Sequence, residues 1–205
     1  NYSNKKKKDK SYQVSIYWPQ EGEVLTHLRL KDLDSERKKP SLFWIQRLRK
    51  NNEVIKWMTM PITGKLKDIT NKKNNNKEFS LSEIIITEDD IKNHKNHLLK
   101  QEFIDSLLVY VIESKEIDSN GHLKYAKTYW IDVATYAIIK IEYYTSSGRL
   151  YRKITCTDMY NKENVILPLT ILLNDLKSKS NSKIILKDII LRPDYNMDIF
   201  VPRDM

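Results

Sequence analysis

The chain has 205 residues, 40% hydrophobic and 31% charged, which is enough apolar material for one packed domain with short appendages. No window approaches the roughly 18–20 unbroken apolar residues of a membrane-spanning helix, and no apolar signal core follows the polar, lysine-rich start at Asn1. The formal net charge of +9 belongs to the first 80 residues, where 19 Lys and Arg face 9 Asp and Glu; residues 81–205 carry 17 against 18.

Residues 1–11 read as a basic, disordered or trimmed stub, and the missing initiator Met points to trimming. Tyr12–Trp18 then has strand character, closed by Pro19 and the turn at Gly22. From Val24 alternation is regular: Val24, Thr26, Leu28 and Leu30 point one way, His27, Arg29 and Lys31 the other. After a charged loop at 32–40, Ser41–Lys50 and Val54–Met60 form a hairpin across Asn51-Asn52. Residues 65–78 are the least structured, with a solvated loop at Asn71–Lys77. Leu81–Ile86 is short and apolar. Thr87, with acids at 88–90, is a helix-start pattern that predicts a short helix over 88–98.

Six strand-length runs follow: Ser106–Lys115, Leu123–Val133, Tyr136–Thr145, Arg149–Met159, Val165–Leu173 and Lys183–Leu191. Their separators, such as Asp118-Ser119-Asn120-Gly121 and Ser146-Ser147-Gly148, are too short for parallel crossovers, so neighbouring strands run antiparallel. Ala137, Ile139, Ile141 and Tyr143 share a face, as do Val165, Leu167, Leu169, Ile171 and Leu173, while Lys140 and Glu142 lie opposite. One face is dry and one wet. So large a sheet must curl, close or be covered, and both a partly closed barrel and a two-sheet sandwich satisfy the pattern.

The search for chemistry returns no nucleophile elbow, phosphate loop, dinucleotide fingerprint or H-E-x-x-H. The lone Cys156 excludes an internal disulfide and reads as a small buried hydrophobe. His94 and His97 have ligand-like spacing, but Lys92, Lys95 and Lys100 around them would repel a cation, so they read as a solvated helix tail. Neither a cofactor nor a metal is called for, and no basic-aromatic motif supports nucleic-acid binding. The basic N-terminal half is suited to peripheral contact with an anionic membrane surface. What stands out is the stock of large apolar side chains. Phe43, Trp44, Leu48, Trp57, Met58 and Met60 cluster in the first hairpin; Trp130, Ile139, Ile141, Tyr143, Leu169 and Ile171 cluster in the second half. Most such residues fill cores, but methionine and aromatic side chains also build adaptable hydrophobic binding surfaces.

The succession of segments carries a resemblance. Tyr17-Trp18-Pro19, Gly22-Glu23-Val24-Leu25, Phe43-Trp44-Ile45 and Val54-Ile55-Lys56 are followed by Leu81-Ser82-Glu83-Ile84 and Thr87-Glu88-Asp89-Asp90. Then come Tyr129-Trp130-Ile131-Asp132, Ile139 to Tyr144, Ser147-Gly148-Arg149-Leu150, Leu167-Pro168, the Ser180–Leu186 strand and Asp198-Ile199-Phe200. In order and spacing this resembles the outer-membrane lipoprotein-sorting proteins, the LolA-like superfamily. The resemblance implies a mainly β fold with short helices, in which residues 12–205 form a single domain. Its antiparallel, strongly curved sheet would be an unclosed, half-open barrel of LolA/LolB type. It also implies a non-enzymatic periplasmic carrier of Gram-negative bacteria, holding lipoprotein acyl chains or another lipid on a concave apolar face made by the twelve residues above. Its partners would be lipid or lipid-modified protein, inner-membrane exporter components or an outer-membrane receptor. The competing expectation is an envelope sensor or exporter accessory that binds a protein partner with the same face. The family begins upstream of the Tyr12 strand with a helix and a strand, for which only the basic stub stands here. Arg47 and Arg49 lie near the hairpin where the family places a steadying arginine, and no motif anchors either one to it.

Overall fold

Turns decide the architecture. Asp118 Oδ1 accepts the amides of Asn120 and His122 at 2.9 and 2.8 Å, and Gly121 takes φ +82° beside them. Thr135 and Asp132 close the next reversal side chain to side chain, with Tyr136 at φ +58°. Gly148, at φ +77°, donates its amide to the Thr145 carbonyl at 2.9 Å. Chains reversed this tightly pair with their sequence neighbours, which makes a meander.

In this computed structural model the described residues are 9, 11–17, 24–33, 43–49, 54–60, 63–70, 86, 91–118, 120–163, 165–191 and 196–201. They fall in two compact units, residues 1–73 with 192–205 and residues 74–191. The first holds strands β1 (Tyr12–Tyr17), β2 (Val24–Asp32), β3 (Phe43–Arg49), β4 (Val54–Thr59) and β5 (Leu66–Asp68), an antiparallel sheet in chain order. A 3-10 turn at Met197–Phe200, capped by Asn196 Oδ1 on the Asp198 amide, brings in Phe200. Its buried ring stands 5.7 Å from His27 and 6.3 Å from Tyr17, centroid to centroid.

The second unit holds β6 (His94–Ile104), β7 (Leu107–Ile117), β8 (Leu123–Asp132), β9 (Ile138–Thr145), β10 (Leu150–Lys162), β11 (Val165–Asp175) and β12 (Ser180–Ile185). They form an antiparallel seven-stranded sheet in order β12-β11-β10-β9-β8-β7-β6, with β6 and β12 at its edges. Alternation along β9 is visible in its burial: Ile139, Ile141 and Tyr143 are buried while the residues between are not. Ile141 and Ile154 are fully closed to solvent; each such side chain contributes about 1.5–3 kcal/mol by burial.

Three expectations are corrected. The helix over 88–98 gives way to β6 from His94 onward; only Ile91 and Lys92 are helical among the described residues there. His94–Ile104 pairs with β7 through its backbone while most of its side chains stay exposed, so its hydrophobic pattern carries no strand signal. Strand β5 lies inside the stretch read as least structured. The final strand runs Ser180–Ile185, earlier than 183–191. The apolar run at 81–85, the Asn71–Lys77 loop and, apart from Asp9 and Ser11, the basic stub lie outside the described residues.

Candidate functional site

Register turns the face of the second unit into rows crossing the strands. Ile112, Tyr129, Ile141, Ile154 and Leu173 stand opposite one another in sequence from β7 to β11. At ~4.8 Å per strand the row is about 19 Å long. Cys156, Ile171 and Ile184 make a second row beside it. Tyr129, Ile141, Tyr143, Ile154, Cys156, Ile171 and Leu173 pack as one buried cluster, with Ile112, Ile131, Ile138, Tyr151 and Ile184 against it. Burial pushes the Cys156 thiol up to about 11, so it is a packed apolar group and not a nucleophile.

On the other side of the aliphatic row runs a polar one: Asn96, Ser114, Lys127, Tyr143, Arg152, Asp175 and Ser180, one residue from each of the seven strands. Lys127 Nζ lies 5.6 Å from the Tyr125 ring centroid and 5.9 Å from those of Tyr129 and Tyr143, within cation–π range of all three. Arg152 reaches Asp175 at 3.4 Å. Burial acts upward on the Asp175 carboxyl, but hydrogen bonds from Ser178 and the Arg152 charge hold it below the usual range. Ser114 is 1% exposed, and its Oγ makes no hydrogen bond among the described residues. At the end of this face His94 Nε2 lies 3.2 Å from the Tyr125 hydroxyl, and Glu116 is bound by Lys124 at 2.8 Å. The Lys124 hydrogen bond holds Glu116 below its ordinary value.

The opposite face carries its own cluster, Val109, Val111, Trp130 and Ile139 with Ile104. Trp130 Nε1 donates to Glu102 at 2.6 Å while Lys140 Nζ lies 3.4 Å from the ring centroid. Lys100, 2.6 Å from Glu102, completes the group. Here the tryptophan is fixed by charges at both its edge and its face.

The twelve residues singled out in the sequence therefore separate. Ile141, Tyr143 and Ile171 come together in the main cluster, and Leu169 is half-buried in β11. Trp130 and Ile139 meet in the second cluster, so Ile139 does not share the face of Ile141 and Tyr143 that its spacing implied; the register shift between β8 and β9 at Trp130/Ile131 turns it to the other side. In the other unit Trp57 stands in register with Ile45 and Met58 with Trp44, so alternation sends Trp57 and Met58 to opposite faces. Both are half-buried, as is Met60 after β4. Phe43, Trp44 and Leu48 occupy β3, with their side chains outside the described set. His94 and His97 sit on a strand, not on a helix tail, and no group of three or more His, Cys, Asp or Glu is placed to hold a metal among the described residues. The polar row escaped the sequence reading. Its one legible trace is Tyr125-Lys127-Tyr129, three residues that alternation puts on one face.

A family model described as "uncharacterized protein" matches residues 35–205. The chain belongs to that family. Comparison with curated proteins finds no match. Among solved structures, a domain described as an outer membrane lipoprotein-sorting protein from Vibrio parahaemolyticus superposes with TM-score 0.75 at 16% identity, over 93% of this chain and 81% of that one. A DUF1329 family protein from Desulfovibrio piger gives 0.63 at 14%, over 86% and 75%. A LolA superfamily protein from Nitrosomonas europaea gives 0.57 at 20%, over 92% and 86%. The family member described here thus has a LolA-like fold, mainly β, antiparallel and with its sheets unclosed, as the resemblance implied.

Proposed function

We propose that this family member is a periplasmic binding or carrier protein that holds acyl chains, of a lipoprotein or of another lipid, in outer-membrane lipoprotein or lipid trafficking, and performs no chemistry on them. The supporting observation is the unbroken apolar row from Ile112 to Leu173 on a LolA-like fold. Such a row offers area without a reactive group, and each buried methylene is worth about 0.8 kcal/mol, so about ten of them give useful affinity. Ile141 and Ile154 are 0% exposed, so a chain reaches them only by displacing what packs on them. Affinity is then the burial gain less the cost of opening, which suits a carrier that must also release its load. Native mass spectrometry of the purified protein should show co-purified lipid, and a lipophilic dye should bind and be displaced by long-chain lipid. Absence of both at micromolar protein would refute the proposal.

A second reading, an envelope sensor or exporter accessory, draws on the edge strand β6. Leu98, Leu99 and Phe103 there are 61, 55 and 70% exposed beside a strand edge that pairs with no other strand among the described residues, an arrangement suited to strand addition by a protein partner. That reading predicts that Phe103→Lys abolishes partner capture and leaves dye binding intact.

A further inference from the structure

The charged groups of the polar row are engaged within the sheet. Arg152 pairs with Asp175 and Glu116 with Lys124, and the Lys127 ammonium sits among the rings of Tyr125, Tyr129 and Tyr143. Asn96 donates its side-chain amide to the carbonyls of Ile91 and His94 at 3.2 and 3.3 Å. Ser114 differs from all of these. It is 1% exposed, and its Oγ makes no hydrogen bond among the described residues. A hydroxyl buried without a partner costs free energy that an incoming acceptor would recover. Ser114 stands two residues along β7 from Ile112, so the two side chains share a face about 7 Å apart. Ile112 opens the aliphatic row that continues through Tyr129, Ile141, Ile154 and Leu173. Exposure falls along that row. Leu98, in register with Ile112 at the near end, is 61% exposed, and Leu173 at the far end is 3% exposed. The polar end of an amphiphile lying on the row therefore belongs at β7, where Ser114 is.

We propose that this face takes an uncharged acyl ester or amide, whose carbonyl oxygen accepts a hydrogen bond from Ser114 Oγ and whose chain runs from Ile112 along Tyr129, Ile141 and Ile154 towards Leu173. The inference rests on the acyl-binding reading above and adds the chemistry of the head group. A buried carboxylate or phosphate would need a cation set aside for it, and Arg152 already faces Asp175 while Lys127 already faces three rings. An ester or amide carbonyl needs a single neutral donor, and the Ser114 hydroxyl is one.

The test uses four ligands built on the same chain: methyl decanoate, N-methyldecanamide, decanoate and 1-chlorodecane. Each displaces a lipophilic dye from the full chain and from its Ser114→Ala variant, so that every ligand is compared with itself and differences in hydrophobicity drop out. Ser114→Ala should weaken the carbonyl ligands by about fivefold, the worth of one neutral hydrogen bond, and leave 1-chlorodecane unchanged. The larger of the two carbonyl losses tells an ester head from an amide. Decanoate should bind the wild type about tenfold or more weakly than its methyl ester, because its charge is buried unpaired. The free variant should melt at or above the wild-type Tm, since it loses no hydrogen bond. A variant that melts clearly lower would show that the hydroxyl already has a partner, and would overturn the inference. Equal affinities of the two proteins for both carbonyl ligands, or an equal loss for 1-chlorodecane, would overturn the assignment to Ser114. Decanoate binding as tightly as its ester would overturn the uncharged head group. In all of these cases the acyl-binding reading stands. Failure of the dye and of every ligand to bind the wild type would overturn that reading, and this inference with it.

Discussion

Ile141→Ala tests whether the central row is a packed unit. Ile141 is 0% exposed, with Tyr129 in register on one side and Ile154 on the other. Truncation removes three buried carbons at about 0.8 kcal/mol each, about 2.4 kcal/mol of transfer free energy. Strands held in register on both sides close poorly over the void, so the total should reach about 3–4 kcal/mol, inside the range of about 2–5 kcal/mol for Ile→Ala in cores. At about 2–4 °C per kcal/mol for a chain of this size, Tm should fall by about 6–16 °C. Thermal melts by circular dichroism measure it, with Thr157→Ala as the control: Thr157 is exposed on the neighbouring strand β10, and its loss should cost within about 0.5 kcal/mol. A fall in Ile141→Ala no larger than that of the control would show that the row is not packed, and the site built on it would fall too.

Two groups give the stability curve its shape with pH. Glu102, Glu116, Glu142 and Asp175 all lie below their ordinary values of 4.5 for Glu and 3.8 for Asp. Folded carboxyls shifted down stabilise above the unfolded pKa, and that contribution is lost as pH falls through the folded pKa; Tm should therefore drop in the acid range below those values. On the alkaline side, burial raises Cys156 from 9.0 to about 11, and burial with the Glu142 hydrogen bond raises Tyr144 from 10.0 to about 12. These contributions are complete below the unfolded values and are lost as pH rises through the folded ones, so Tm should fall between pH 9 and 11 as the thiol titrates. A flat profile at both ends would contradict these shifts. The same burial predicts that Cys156 resists thiol reagents in the folded protein and reacts on addition of denaturant; equal rates in the two states would refute it. Gly148→Ala should cost about 1–2 kcal/mol through backbone strain alone, because φ is +77° and an added Cβ meets nothing within 4 Å. Gly148→Asn, better tolerated in this conformation, should recover part of the loss, and a neutral Ala variant in urea titration would argue against strain.

The strands of the second half were legible because alternation and turn chemistry agree. The residues of β9 alternate in sequence and in burial, and Gly121 and Gly148 sit at the positive-φ positions that their turns require. Strand β6 was illegible for a physical reason. As an edge strand it is specified by backbone pairing with β7, and a register shift between Leu98 and Lys100 breaks what alternation it has. The pattern at Thr87 then favoured a helix by default. The aromatic residues misled in another way. Trp57 and Met58 are neighbours in sequence, and for that reason they cannot share a face of a strand.

Alternation assigns a residue to a face, but chemistry on a sheet depends on what stands beside it across the strands, and that is set by register. Tyr143 illustrates the difference. In sequence it is one more member of the series Ile139, Ile141, Tyr143. In the sheet it stands between Lys127 and Arg152, and its ring packs 6.1 Å from that of Tyr151, carried inward by the shift between Leu150 and Arg152. A slip of one residue in the turn at Thr145–Arg149 would invert every side chain of one strand relative to the other. The aliphatic and polar rows would then no longer lie side by side. The hydrogen bonds of Thr145 to Arg149 and of Gly148 to Thr145 are therefore as much a part of the site as Lys127 is. A sheet face of this design keeps its pattern in backbone register, where no single side chain announces it.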